Sequence, residues 1–141
     1  MIKISAGVPI LDNAEQRNNE FAKGTAFFLM PDGTYSVGTV ATAFCENVII
    51  PCSYRGRAVT GIDGGYSGFS GFAGSTLLKS VFIPNSVKRI GDYAFEGCLN
   101  LKKIKYGGTK AQWQETFKGD GWNFNVPSDC IVCCVDGEIN I

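Results

Sequence analysis

Phe72-Ala73-Gly74-Ser75-Thr76-Leu77-Leu78-Lys79-Ser80-Val81-Phe82-Ile83 and Phe95-Glu96-Gly97-Cys98-Leu99-Asn100-Leu101-Lys102-Lys103-Ile104-Lys105-Tyr106 are two versions of one segment. They lie 23 residues apart, and Phe, Gly, Leu and Lys recur at matching positions. The pattern extends outward. Ile83-Pro84 has an earlier counterpart in Ile50-Pro51, and Val87-Lys88-Arg89-Ile90-Gly91 has one in Val59-Thr60-Gly61-Ile62-Asp63. A period in the twenties marks a solenoid, whose units each bury one face by stacking on a neighbour. The two units are unequal: Ile50 to Phe72 takes 22 steps where Ile83 to Phe95 takes 12. Half of the surplus falls between Ile62 and Phe72, in a glycine-rich run that puts Tyr66 and Phe69 on a loop. That run has neither the lysine of a P-loop nor the spacing of a dinucleotide fingerprint.

Composition agrees with short strands and tight turns. Of 141 residues, 22 are Ile or Val, 10 are Phe and 18 are Gly, against only 6 Leu. β-branched and aromatic side chains suit a pleated, half-buried surface, and glycine suits its turns. Thirteen basic and thirteen acidic side chains balance, which argues against a basic nucleic-acid binder and against an acidic mimic of nucleic acid. There is no histidine, so Ser-His-Asp and Cys-His arrangements, zincin motifs and imidazole bases are excluded, and no motif implies a cofactor. No apolar run approaches the ~20 residues of a membrane helix. Residues 1–10 hold no sustained apolar core of a signal peptide, so the expected location is cytoplasmic, with a secreted parent shorn of its signal as the alternative.

In a reducing compartment the six cysteines (Cys45, Cys52, Cys98, Cys130, Cys133, Cys134) are expected to be free thiols. Cys130-x-x-Cys133 has the spacing of a redox pair but lies in an Ile/Val-rich strand, where the two side chains point to opposite faces. Cys45 and Cys52 have no second C-x-x-C, so no zinc site is expected. Cys98 stands in the repeat slot that Ser75 fills one unit earlier, which marks it as packing.

Leu78-x-x-Val81-x-Ile83 and Leu101-x-x-Ile104-x-Tyr106 have the L-x-x-L-x-L spacing of a leucine-rich repeat strand. The stretch Ile83 to Ile104, with Gly91-Asp92-Tyr93-Ala94-Phe95-Glu96-Gly97-Cys98 at its centre, resembles the BspA-like leucine-rich repeat family over a full unit. Asp32 to Val37 and Val48 to Pro51 look like the opening segment of such proteins, and Tyr106 to Trp113, through Trp122-Asn123, looks like their terminal cap. The resemblance covers about residues 25–139 and implies a mainly β, short solenoid that acts in adhesion or protein binding without catalysis. The expected organisation is an N-terminal extension, 1–24, followed by a repeat domain, 25–141, with repeats at about 48–82 and 83–106 and a cap at 107–141.

The residues themselves support the ends. Ala26 to Met30, Pro31-Asp32-Gly33 and Thr34 to Val40 read as a β-hairpin. Thr109-Lys110-Ala111-Gln112 is a capping box that opens a short helix, with Trp113 and Phe117 on one face and Gly119 as a left-handed stop. Cys130 to Val135, Asp136-Gly137 and Glu138 to Ile141 read as a closing hairpin. In the extension, Asp12-Asn13-Ala14-Glu15 would open a helix that Gly24 closes, against which Asn18 and Asn19 count.

Charge is uneven. Residues 79–118 carry eight cations against three acids, whereas residues 119–141 carry four acids and no cation. With the first, fourth and sixth positions of each strand motif turned inward, Ser80 and Phe82 of one unit and Lys103 and Lys105 of the next stand outside. Asn47 and Ile49 precede them in register, because Ile50-Pro51 aligns with Ile83-Pro84. An apolar strip beside a lysine patch suggests docking, most simply of a protein with an acidic patch, joined by the aromatic loop of Tyr66 and Phe69. Two other versions of a binding role remain: a small cytoplasmic inhibitor, carried by a phage or other mobile element, that occludes a host nuclease or defence enzyme, and a fragment of a bacterial surface adhesin. A thiol enzyme using Cys133 or Cys134 is the weakest reading, since no histidine is present to activate it.

Overall fold

Each strand motif forms because alternate residues are apolar, and each coil then returns the chain in the same direction to begin the next. The computed structural model describes residues 25–39, 46–64 and 71–141. Its elements run β1 (Thr25–Leu29), β2 (Tyr35–Thr39), β3 (Asn47–Ile49), β4 (Ser53–Tyr54), β5 (Arg57–Ile62), β6 (Ser80–Ile83), β7 (Arg89–Ile90), β8 (Lys103–Tyr106), α1 (Lys110–Glu115), β9 (Phe117–Lys118), β10 (Ile131–Cys134) and β11 (Gly137–Asn140). They make two sheets, one in the order β1-β2-β5-β7-β9 with β4 beside β5, the other in the order β3-β6-β8-β10-β11. Within each sheet the inner strands are parallel, and each sheet ends at one side in an antiparallel hairpin, β1 on β2 and β11 on β10. This is the solenoid that the 23-residue spacing implies, of the leucine-rich repeat kind that the strand motif and the resemblance imply.

A third side is built from stacked turns. Phe72 N–H donates to Ala94 O at 2.6 Å and Gly74 N–H to Glu96 O at 2.7 Å; one coil on, Phe95 N–H donates to Trp122 O at 2.8 Å and Gly97 N–H to Phe124 O at 2.9 Å. At the corner between sheet and turn, Gly91 N–H donates to Ile62 O and Gly119 N–H to Ile90 O, both at 2.8 Å. The coils close so tightly there that a Cβ on Gly91 would stand 2.4 Å from Gly64 N. Asp63 accepts a hydrogen bond from Ser36 Oγ, and Asp92 Oδ1 accepts one from Asp120 N–H, so the same corner residue ties successive coils.

The inward positions are those the motif names. Leu78, Val81, Ile83, Leu101 and Ile104 are fully buried, as are Ile62, Ile90, Phe72 and Phe95, and Tyr106 nearly so. Phe72 and Phe95 stack with centroids 5.4 Å apart, and the column continues edge-on through Trp122, Trp113 and Tyr106 into the cap. Cys98 lies in this core, its thiol donating to Phe72 O at 3.1 Å, and Ser75 is buried in the same slot of the preceding coil.

The longer first unit resolves into two insertions. Five of its extra residues make the β4–β5 hairpin, whose turn residues Arg55 and Gly56 both have positive φ. Tyr54 stacks on Phe27 at 4.0 Å, with Tyr35 edge-on to both, so this hairpin and β1 close one end of the first sheet. The remaining five, with Tyr66 and Phe69, lie outside the described residues, as do residues 1–24 with their expected helix, and Cys45.

The β1–β2 turn, the capping box and the closing hairpin are present as read. Asp32 accepts from both Thr34 N–H and Thr34 Oγ1, which holds its carboxyl below the usual range. Thr109 accepts from Gln112 N–H, and Gln112 accepts from Thr109 N–H. The end of the helix corrects the sequence reading. α1 stops at Glu115, Thr116 is already extended, and Phe117 stands in β9, 64% exposed, rather than beneath the helix beside buried Trp113. Gly119 is no left-handed stop; it sits where a Cβ would strike Asp92. The cause is competition: residues 117–118 pair with β7, and the Lys118 ammonium takes the C-terminal carbonyls of Trp113 and Thr116, with the Trp113 ring 4.4 Å away.

Truncating the central ring of the column tests this packing. Phe95→Ala is expected to lose about 3–5 kcal/mol of stability in a urea titration, because the ring neighbours Phe72, stacked, and Trp122, edge-on, are held by the backbone ladder and cannot collapse into the void. A loss below about 1 kcal/mol would refute the inward assignment.

Candidate functional site

Because side chains alternate across a strand, every second residue of β3, β6, β8 and β10 faces out from the second sheet. The parallel register lines them into rows. Asn47 pairs with Ser80, Ser80 with Lys103 and Lys103 with Ile131; Ile49 pairs with Phe82, Phe82 with Lys105 and Lys105 with Cys133. The antiparallel β11 continues the rows with Asn140 and Glu138. Asn47, Ile49, Ser80, Phe82, Lys103 and Lys105 are thus brought to one face. Tyr66 and Phe69, expected to join them, lie outside the described residues.

Ile49 is 42% exposed at the end of its row, Lys105 is exposed, and Ser80, Phe82 and Lys103 are half-buried. Asn47, Val48, Ile49, Ser80, Phe82 and Lys105 line a depression of about 540 Å³. Its shape follows from residue size. Asn47 and Ser80 are short and bonded to each other, Ser80 Oγ to Asn47 Oδ1 at 2.6 Å, while Phe82 and Ile49 rise beside them. The Phe82 ring lies against Gly107, where a Cβ would stand 3.1 Å from its Cζ and 3.4 Å from Pro84 Cα. Any other residue at 107 would crowd the ring, so this glycine helps to shape the face.

Charge on the face is unbalanced. Lys79 pairs with Glu46 at 3.3 Å and Lys102 with Asp129 at 3.8 Å, both at the edge of the coil. Among the described residues no carboxylate lies within ion-pair distance of Lys103 or Lys105. The sequence reading missed Ile131, Cys133, Glu138 and Asn140. Lys103 follows Ser80 by 23 residues but Ile131 follows Lys103 by 28, because the cap intervenes, so the repeat spacing could not reveal β10 as the next coil. Among the described residues no group of three His, Cys, Asp or Glu is placed to hold a metal ion. The arrangement offers apolar contact, hydrogen bonding and positive charge to a surface laid on it.

Residues 67–119 match the family described as BspA type Leucine rich repeat region (6 copies), so this stretch is similar to that family's repeats. No curated protein matches the chain. Two similar solved structures are a leucine rich repeat protein of T. pallidum and a leucine rich cell surface protein of Faecalibacterium prausnitzii A2-165, each 21% identical with a TM-score of 0.53. The matches cover 74% and 79% of this chain but only 44% and 28% of those proteins, so the chain spans less than half the length of either. At this identity the likeness establishes the fold.

The thiols near the face divide by burial. Cys130 and Cys133 do point to opposite sides, Cys130 into the core and Cys133 outward. The five cysteines among the described residues are unbridged. Burial pushes the Cys98 thiol up to about 12 and the Cys130 thiol up to about 11, and raises that of Cys134 as well. A thiol pKa raised on folding means that the unfolded chain loses its proton first. The stability is therefore fully present below about pH 9 and is lost as pH climbs toward 12. Cys98→Ser, which copies Ser75, is expected to flatten that decline in urea titrations across the window; an unchanged slope would show that Cys98 is not held as a buried neutral thiol. At neutral pH, iodoacetamide is expected to label exposed Cys52 before Cys98 or Cys130, as read by mass spectrometry of the native protein.

Proposed function

We propose that this chain is a non-enzymatic protein-binding module, and that the outer face of the β3–β6–β8 sheet receives a partner with an acidic surface. One observation carries the reading: an apolar depression walled by Ile49 and Phe82 opens beside two lysines that no carboxylate pairs among the described residues. The fold supports it in kind, since leucine-rich repeat solenoids present broad surfaces to other proteins. Scattered exposed apolar residues need no explanation, but adjacent ones in a concavity do. Ile49 and Phe82 would supply most of the binding energy once desolvated, and Lys103 and Lys105 would chiefly steer the encounter.

The two contributions separate kinetically. After a partner is isolated by copurification from the native host, Phe82→Ala is expected to speed dissociation, weakening the complex by about 1–3 kcal/mol. Lys103→Glu with Lys105→Glu is expected to slow association instead, with an effect that shrinks as salt shortens the screening length below ~8 Å. Surface plasmon resonance at two salt concentrations distinguishes them. Wild-type kinetics in every variant would place the binding surface elsewhere.

A further inference from the structure

The register places Ile49, Phe82, Lys105, Cys133 and Glu138 in a single line across five strands, β3 to β11. The line changes character along its length. It begins apolar, becomes cationic at Lys105, and ends acidic at Glu138. Among the described residues neither charge is neutralised by an ion pair: no carboxylate pairs Lys105 and no cation pairs Glu138, whose Oε2 accepts from the Cys133 thiol at 3.9 Å. Strands lie about 4.8 Å apart, so the five side chains mark steps of that length.

A segment that follows this line must present side chains at the same interval. An extended strand running along it would offer one every ~6.7 Å, and would be out of step by the third position. A helix with a rise of about 1.5 Å per residue places i, i+3, i+7, i+10 and i+14 at roughly 0, 4.5, 10.5, 15 and 21 Å on one stripe. Those positions stay within about 2 Å of the strand spacing over all five steps. We infer that the partner element docking here is an α-helix laid across the strands, with apolar residues over Ile49 and Phe82, an acid at i+7 over Lys105 and a base at i+14 over Glu138. This rests on the proposed binding role of the face and adds the form, polarity and direction of what binds. The depression between Ile49 and Phe82 receives the apolar end, and the separated charges disfavour the reversed helix.

Two lactam-stapled helical peptides of about 18 residues provide the probe, tested on the whole chain by amide NMR titration. Both carry Leu at i, Phe at i+3 and Ala at i+10; one has Glu at i+7 and Lys at i+14, the other exchanges them. The first is expected to shift the amides of β3, β6 and β8 and to bind about fivefold tighter than its isomer, the scale of two exposed charge pairs. The paired exchange Lys105→Glu with Glu138→Lys is expected to invert that preference, and both sites lie at the surface, so the variant keeps its core. Equal binding of the two isomers on this face would overturn the helix and its polarity but leave the proposed role standing. The same follows if neither peptide perturbs any amide at ~1 mM, a bound beyond which contact with so short an element carries little energy. Shifts confined to another surface would overturn both.

Discussion

Phe72 and Phe95 lie face to face at 5.4 Å because the backbone above and below them is already tied, coil to coil, on three sides. Neither coil could bury its ring alone. A single turn of this chain has one apolar face and no second layer to put against it, so burial requires a neighbour, and the neighbour must enter in the same orientation. That requirement makes the inner strands parallel, fixes the register of both sheets and places Ile62 over Ile90 and Val81 over Ile104. Every inward residue is a consequence of stacking.

Stacking also creates a difficulty at each end, where a coil has a neighbour on one side only. The chain answers by reversing direction. β1 returns along β2, and β11 returns along β10, each converting the last parallel strand into a hairpin. At the cap the aromatic column is closed by Trp113, brought over Tyr106 and Trp122 by a helix of six residues. So short a helix has little stability of its own. It is held at the front by the reciprocal Thr109–Gln112 bonds and behind by the Lys118 ammonium, which is drawn toward the core and has its pKa lowered by the desolvation that follows. β9 thereby serves two masters: its backbone extends the first sheet, and its lysine secures the helix that covers the second.

What could be read in the sequence follows this division. Inward positions repeat because stacking forces them to, so Leu78-x-x-Val81-x-Ile83 and its copy gave the strands, their faces and the rows Asn47–Ser80–Lys103 and Ile49–Phe82–Lys105. Where stacking does not dictate, reading failed. Phe117 has the spacing of a helix partner for Trp113, but the hydrogen bonds of β7 take the chain first, and a local pattern cannot reveal a claim made by a distant strand. Likewise β10 restores the row of the sheet after a cap of irregular length, so Cys133 and Glu138 joined the face only once three-dimensional register was known.

The same division says where a function can reside. A solenoid spends its inward residues on itself, and replacing any of them disturbs the next coil. Outward positions carry no such obligation; serine, lysine and asparagine satisfy the strand equally and cost nothing in water. Ile49 and Phe82 stand at outward positions, where the stacking of coils sets no demand for apolar residues. Gly107 sharpens the point, since it leaves Phe82 the room that a side chain there would crowd. An outward apolar pair, Ile49 exposed and Phe82 half-buried, set beside lysines and leading to an acid that have no ion-pair partner among the described residues, is a cost in isolation. A complementary surface of the kind proposed would remove that cost by covering the pair and neutralising both charges together.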